Sequence, residues 1–237
     1  MTTTTTPIAA NLAAVREQIA AACERAGRDP GGVTIVGVTK THPPSLVEEA
    51  LAAGLTDIGE NRAQELLPKA EAIKASGLAP RWHFIGRLQR NKVRGVLPHI
   101  AALHSLGSVR LADEIERRAE RLEADRGTGA RDPLPCYLEV NVAGEASKDG
   151  IAPEELPELL REAANRRHIA VAGLMTVAPL VDDPEQVRPV FRQLRELARA
   201  HGLEGLSMGM TDDYAVAVEE GATVVRLGRV IFGARRG

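Results

Sequence analysis

The chain has 237 residues, of which 44% are hydrophobic and 26% are charged, and its 30 Lys and Arg residues nearly balance 32 Asp and Glu residues, giving a formal net charge of −2. This composition is typical of an ordinary soluble globular protein. The interspersed charges argue against nucleic acid or an anionic membrane as a partner. No apolar run reaches the ~20 residues of a membrane span, so we expect a cytoplasmic protein. Its two cysteines, Cys23 and Cys136, are too few and too far apart for a disulfide framework, and no His or Cys pair has the spacing of a zinc site, so we expect no metal.

Two segments precede the repeating part of the chain. Residues 1–7 are threonine-rich and are predicted to form a disordered leader without the features of a signal peptide. Apolar residues at three- and four-residue spacing predict an additional N-terminal helix over 8–26, which Gly27 ends. The β-branched run at 33–39 then predicts a first buried strand.

Strand and helix patterns alternate through the rest of the chain. Further strands are predicted at 55–59, 82–85, 100–105, 136–142, 169–175, 203–207 and 223–227. The helices between them are predicted at 46–53, 63–75, 89–97, 109–124, 153–165, 184–200 and 212–220, and 228–237 is predicted to be a tail.

Eight strands separated by helices predict parallel pairing through right-handed crossovers. The fold class that follows is α/β, with a single (β/α)8 barrel of the TIM type over residues 8–237. An open doubly wound sheet with a boundary at 127–135 is the alternative, but that loop is short enough to be an ordinary connection. Since a closed barrel has no free sheet edge, we expect a monomer.

The functional residues of such a barrel lie at the C-terminal ends of its strands. Polar or distinctive residues occupy every one of these positions, which should converge on one mouth of the barrel: Lys40, Glu60, Asn61, His83, Ser105, Asn141, Met175, Thr176, the segment 207–211 and the segment 226–229.

Lys40 follows the first strand at a position that shares its face with Val36 and Val38. An apolar neighbourhood favours the neutral amine, which is the form that attacks a carbonyl carbon or forms a Schiff base. The equally good alternative is a lysine that leaves the strand end and extends to water.

Two strand ends late in the chain suggest an anion site. The segment 207–212 runs from a strand through Gly209 to Thr211 before a helix, and 226–229 places Gly228 after the last strand. Backbone N–H groups there suit a phosphate, although Thr211 could instead cap the helix. A lysine opposite a phosphate cradle indicates an aldehyde that carries a phosphate, of which pyridoxal 5′-phosphate is the common example, while a sugar phosphate stays open.

The ordered motifs of the chain resemble those of the pyridoxal phosphate homeostasis protein family. The resemblance extends over about 33–233 and depends on VGVTKTHP at 36–43, GENRAQE at 59–65, WHFIGRLQRNK at 82–92, HSLGS at 104–108, GLMT at 173–176, SMGMTDD at 207–213 and RLGRVIFG at 226–233. It implies one barrel domain similar to the N-terminal domain of alanine racemase, with pyridoxal phosphate as the cofactor.

The resemblance also implies a role for each matching residue. Lys40 would form a Schiff base with the cofactor, Asn61 and His83 would flank its ring, and Met175 would line the pocket. Ser207 and Thr211, with the adjoining backbone of Met208 and Gly209, would hold the phosphate. Gly228 and Arg229 would add N–H groups, and Arg226 would face the pyridine nitrogen. Thr211 stands where the family often has serine, and Arg229 where a small residue is frequent.

The implied function is intracellular pyridoxal phosphate homeostasis, as a carrier, buffer or regulator that supplies pyridoxal phosphate-dependent enzymes. Because an arginine has only donors, Arg226 would keep the pyridine nitrogen unprotonated and weaken the cofactor as an electron sink. Neither Tyr137 nor Tyr214 lies in the context of a racemase acid/base, so we expect no robust turnover. Two alternatives to this function are a racemase-like enzyme that uses pyridoxal phosphate and a lysine-dependent phosphosugar enzyme that does not.

Overall fold

A computed structural model describes residues 6–126, 132–145 and 148–234 of the protein. The first five residues of the predicted leader and most of the loop considered as a boundary at 127–135 lie outside these ranges. The leader prediction was wrong for Pro7, which begins the first helix, with Thr6 as the N-cap whose hydroxyl accepts from the N–H of Ala9. Proline suits a first helical position because its missing N–H has no intrahelical partner there.

Strands and helices alternate along the described chain. The strands are β1 Thr34–Val38, β2 Asp57–Glu60, β3 Arg81–Phe84, β4 Ile100–Leu106, β5 Leu134–Glu139, β6 Ile169–Met175, β7 Gly205–Ser207 and β8 Val224–Leu227. The helices are α1 Pro7–Arg25, α2 Pro44–Ala52, α3 Ala63–Ala75, α4 Val93–Val96, α5 Val109–Arg126, α6 Leu156–Ala164, α7 Arg188–Ala200, α8 Tyr214–Glu219 and α9 Arg229–Phe232.

The strands form a closed parallel barrel in sequence order, in which β8 pairs with β1. This confirms the predicted TIM-type barrel, and the open-sheet alternative was wrong. The helices cover the outside of the barrel, and α1 packs against α8 and α9. No helix in the part of the chain that the structure covers is both long and apolar enough to span a membrane.

Strand register determines which side chains face the barrel interior. Val38 of β1 lies beside Gly59 of β2, which lies beside His83 of β3. On the opposite wall, Met175 of β6 lies beside Ser207 of β7. Because neighbours in a parallel register point to the same side of a sheet, these positions all face inward.

Several predicted bounds differ from those of the structure, and two of these differences lie in the segments after β7 and β8. The predicted tail contains α9, in which the ring of Phe232 contacts that of His42, with 5.7 Å between ring centroids. In addition, α8 begins at Tyr214 and its N-cap residue is Asp213, which makes no side-chain capping hydrogen bond, so Thr211 is not its cap. The carboxylate of Asp213 accepts from the N–H of Met210, before the helix, at 2.6 Å. The first feature depends on packing between residues far apart in sequence, which local periodicity does not reveal.

Candidate functional site

Lys40 lies in a tightly held turn just after β1. On one side of it, the hydroxyl of Thr39 donates to Glu60 Oε1 at 2.6 Å. On the other side, the N–H of Thr41 donates to Glu65 Oε2 at 2.6 Å, and Thr41 adopts a left-handed conformation with φ of 67°. Because a β-branched residue rarely adopts this conformation, the turn stores strain that the surrounding contacts must offset.

A buried ion pair supports the same turn from the helical layer. Lys69 of α3 contacts Glu60 of β2, and its Nζ also donates to the carbonyl of Thr39 at 2.8 Å. Burial raises the pKa of Glu60, although Lys69 and Thr39 oppose the rise. The pair therefore fixes the backbone from which Lys40 projects, a role that the sequence did not reveal.

Asn61 follows β2 next to the Lys40 turn. Its buried Oδ1 has no hydrogen-bond partner among residues 6–126, 132–145 and 148–234. The residue lines a cavity of about 540 Å³ together with Arg62, Arg87 and Lys92. A Cβ at Gly86 would lie 2.3 Å from the carbonyl oxygen of Asn61, so glycine there allows Asn61 its position.

The loops after β7 and β8 present backbone donors at the mouth. Within the described chain, no acceptor is bonded to the N–H groups of Gly209, Thr211, Gly228 or Arg229. Gly209 has φ of 94°, and a Cβ there would lie 2.6 Å from that of Ala217. These unpartnered donors have the chemistry of an anion cradle.

The β7 and β8 loops are also joined by an ion pair. Arg229 Nη2 donates to Asp212 Oδ2 at 2.6 Å, and both side chains are more than half exposed. In the sequence, Arg229 stands out only because the similar family often has a small residue at this position. Its guanidinium is engaged by a carboxylate at the rim, which offsets its positive charge there.

Arg226 projects from β8 into the barrel and is buried. Its Nη1 donates to both the carbonyl and the hydroxyl oxygen of Ser207 at 2.7 Å, and its Nη2 donates to the carbonyl of Thr176 at 2.9 Å. Burial lowers its pKa to about 10, an effect that Glu139 and Asp213 oppose. The side chain therefore stays a cation at neutral pH.

The polar contacts of Arg226 continue down the barrel as an unbroken chain. Ser207 Oγ lies 2.7 Å from His104 Nδ1, and His104 Nε2 lies 2.8 Å from His83 Nδ1. His83 Nε2 then lies 2.8 Å from Asp57 Oδ1 at the start of β2. We call Arg226, Ser207, His104, His83 and Asp57 the histidine relay.

The relay bears on two of the predicted roles. Both ring nitrogens of His83 have protein partners within the barrel, and the hydroxyl of Ser207 is shared by Arg226 and His104. A flanking role for the His83 ring and a phosphate-binding role for the Ser207 hydroxyl stay predictions, and the geometry gives both groups other partners. His104 was missed as a site residue, although it begins the HSLGS motif.

Glu139 at the end of β5 is a second residue that the sequence did not single out. It is buried beside a cavity of about 720 Å³ that Lys148 and Asp149 also line. Burial raises its pKa to about 7; Asp149 adds to the rise, whereas Arg226 and Arg87 oppose it. A carboxyl group near its titration point at neutral pH is a common feature of functional sites.

The other predicted positions are distributed between the interior and the loops. Met175 and Met208 are buried beside the inner wall, at the end of β6 and just after β7. Three hydroxyl or amide side chains brace loop backbone, donating to carbonyl oxygens: Ser105 to Gly86, Asn141 to Glu145, and Thr176 to Val140. They therefore shape the mouth through the backbone.

Comparison with known proteins places the chain among its relatives. The family model for the alanine racemase N-terminal domain matches residues 10–236. The pyridoxal phosphate homeostasis protein of Aquifex aeolicus is 46% identical over 231 residues, covering 95% of this chain and 97% of that protein. The protein of the same name from Pseudomonas aeruginosa is 42% identical, covering 96% of each chain.

Solved structures agree with this placement. PipY of Synechococcus elongatus, solved with pyridoxal phosphate bound, has a TM-score of 0.81 and 31% identity, covering 95% of this chain and all (100%) of that one. Alanine racemase from Corynebacterium glutamicum has a TM-score of 0.68 at 15% identity, covering 98% of this chain and 62% of that one, which is a likeness of fold. The protein belongs to the pyridoxal phosphate homeostasis protein family, whose barrel is that of the alanine racemase N-terminal domain.

Proposed function

We propose that the protein binds pyridoxal 5′-phosphate at the mouth of the barrel, as a Schiff base of Lys40, and carries or buffers it in the cytoplasm for pyridoxal phosphate-dependent enzymes. The observation that carries the proposal is the placement of the Lys40 turn beside the donor loops. In the β1/β8 pairing, a Cβ at Gly228 would lie 3.5 Å from the carbonyl oxygen of Val38, two residues before Lys40. The bound cofactor of the relative PipY supports it.

The residues at the mouth fit each part of this cofactor. The unpartnered N–H groups of Gly209, Thr211, Gly228 and Arg229 suit a phosphate. Three acceptors within the described chain engage Arg226, which leaves two of its five N–H donors without an acceptor there, and one of these would face a ring nitrogen. Asn61 adds a polar side chain on the β2 side. When bound, the cofactor supplies an aldehyde that condenses with an amine and a ring that can withdraw electrons.

The same residues argue for binding without robust turnover. Arg226 is a permanent donor, so it holds a ring nitrogen in its unprotonated, weakly electron-withdrawing form. Of the two tyrosines, Tyr214 donates to Gln18 on α1, and Tyr137 stacks on His104 inside the barrel with 4.7 Å between centroids. Neither of these positions supports a proton-transfer role beside Lys40.

The oligomeric state follows from the barrel itself. A closed barrel has no free sheet edge through which copies could pair, which supports a monomer.

The first experiment is the visible absorption spectrum of the purified protein with added pyridoxal phosphate, before and after borohydride. We expect a band that borohydride removes and a reduced adduct that maps to Lys40. Lys40→Ala should abolish both, and Lys74→Ala, at an exposed lysine of α3, should leave them unchanged. A wild-type protein without the band would refute the proposal and favour a phosphosugar enzyme.

Catalysis is tested separately from binding. The loaded protein is incubated with L-alanine, and the optical rotation is followed over many equivalents of substrate. We expect no steady loss of chirality. Loss at turnover rates that Lys40→Ala abolishes would overturn the carrier assignment and establish a racemase-like enzyme.

A further inference from the structure

The histidine relay connects the mouth of the barrel to its opposite end. Arg226 and Ser207 lie at the C-terminal ends of β8 and β7, whereas Asp57 is the first residue of β2. All five side chains are buried, and His104 is completely buried. The role proposed above for the mouth accounts for Arg226 and not for the two histidines below it.

The donors and acceptors of the relay can be satisfied in only one direction when both histidines are neutral. Arg226 can only donate, so Ser207 Oγ accepts from it and the Ser207 hydroxyl donates its own hydrogen bond to His104 Nδ1. His104 then carries its proton on Nε2 and donates to His83 Nδ1. His83 likewise carries its proton on Nε2 and donates to the Asp57 carboxylate. Every hydrogen bond thus points from the cation to the anion.

The surroundings favour this protonation pattern. Burial, with the nearby Arg226 cation, lowers the pKa of His104 well below its usual value, so His104 is neutral at physiological pH. Although burial alone would raise it, hydrogen bonds from His83 and Thr56 lower the pKa of Asp57 below its usual value. The ring of Tyr137 stacks on His104 and restricts its rotation. Aligned hydrogen bonds in a low-dielectric interior strengthen one another.

We propose that His104 and His83 are positioning residues of the candidate cofactor site. Because His104 Nδ1 accepts the hydrogen bond from the Ser207 hydroxyl, the hydroxyl hydrogen points into the barrel and Ser207 Oγ is held as an acceptor for Arg226. Asp57 anchors the relay by fixing the tautomer of His83. With three acceptors around it, the Arg226 guanidinium is held with its remaining donors available to the ligand. The inference rests on the proposed function for the identity of that ligand.

The first test needs no cofactor. Heteronuclear NMR of the imidazole nitrogens in the unloaded wild-type protein, assigned with His83→Gln and His104→Gln, reports the tautomer of each ring near pH 7. We expect each ring to donate from Nε2 and to accept at Nδ1. A ring protonated on Nδ1, or a charged ring, would overturn the proposal, whether or not the protein binds pyridoxal phosphate.

The second test compares two variants of one residue. His104→Phe removes the acceptor for Ser207, and we expect pyridoxal phosphate binding to weaken roughly 10- to 100-fold, with a shift in the pH profile of the absorption spectrum. His104→Gln offers an amide oxygen to Ser207 and an N–H to His83, so it should restore affinity to within about threefold of wild type.

A matched histidine separates positioning from general stability. His168 is equally buried but bonds to Glu116 and Glu123, outside the relay. His168→Phe should lower the melting temperature without changing pyridoxal phosphate affinity. Equal affinity in His104→Phe and wild type would overturn the proposal, as would equal losses in His104→Phe and His168→Phe. If His104→Phe does not fold, the tautomers of the wild-type rings decide the question. Absence of binding by wild type would refute the proposed function alone.

Discussion

Glu139 makes stability depend on pH in a direction opposite to that of most carboxylates. Burial raises the pKa of this carboxyl from 4.5 to about 7. Between these values the folded state binds more protons than the unfolded state, so the free energy of unfolding falls as pH rises through this window. A shift of this size corresponds to about 3 kcal/mol, which is fully lost once the pH exceeds the folded-state pKa. This is a large fraction of the stability of a typical domain.

Glu139→Gln removes the titration while keeping nearly the same volume. Urea unfolding of the unloaded protein is measured at intervals from about pH 5 to about pH 8. We expect the stability of the variant relative to wild type to increase by about 2.5 kcal/mol across the range, because part of the effect is already lost at pH 5. Glu49→Gln, at an exposed position on α2, serves as the control and should follow wild type. Parallel curves for Glu139→Gln and wild type would refute the reasoning, because the carboxyl would then titrate equally in both states.

Two further predictions concern the backbone of the mouth, each measured by urea unfolding. Gly209→Ala should lower the free energy of unfolding by about 1–3 kcal/mol, because the φ of Gly209 is positive and the new Cβ would meet Ala217. Gly77→Ala, where φ is also positive but the surrounding space is open, should lower it by less. Equal losses in the two variants would contradict a clash at Gly209. Lys69→Met should cost about 3–5 kcal/mol by leaving Glu60 buried without its partner. Adding Glu60→Gln should recover part of that loss, and no recovery would contradict the pairing.

The barrel and the rim of the site could be predicted because they depend on local patterns. Eight short apolar runs separated by helical periodicity leave few topologies for a chain of this length. The closed barrel then brings the C-terminal ends of all strands to one mouth. Sequence position alone therefore predicts that Lys40 and the loops containing Gly209 and Gly228 lie at that mouth. Glycine at these two positions also carried a local signal, because it marks a turn or a close approach.

The interior of the site could not be predicted in the same way. The relay contacts join residues that are 19 to 103 positions apart in sequence. Pairing of β3 with β4 shifts register between Trp82 and His83, so the neighbour of His83 cannot be counted from strand starts. The elevated pKa of Glu139 likewise depends on burial and on charges from other strands and loops. Only packing creates these environments.

The composition of the barrel interior distinguishes a scaffold from a site. A barrel of this class usually fills its interior with branched apolar side chains, whereas here Asp57, His83 and His104 occupy inward positions on three consecutive strands. A buried polar network stabilises a fold less than apolar packing does unless each donor and acceptor is satisfied. The relay meets this condition in one protonation pattern, and its upper end is the cation at the mouth. The interior polar residues are therefore best understood through the orientation they impose on Arg226 rather than through stability.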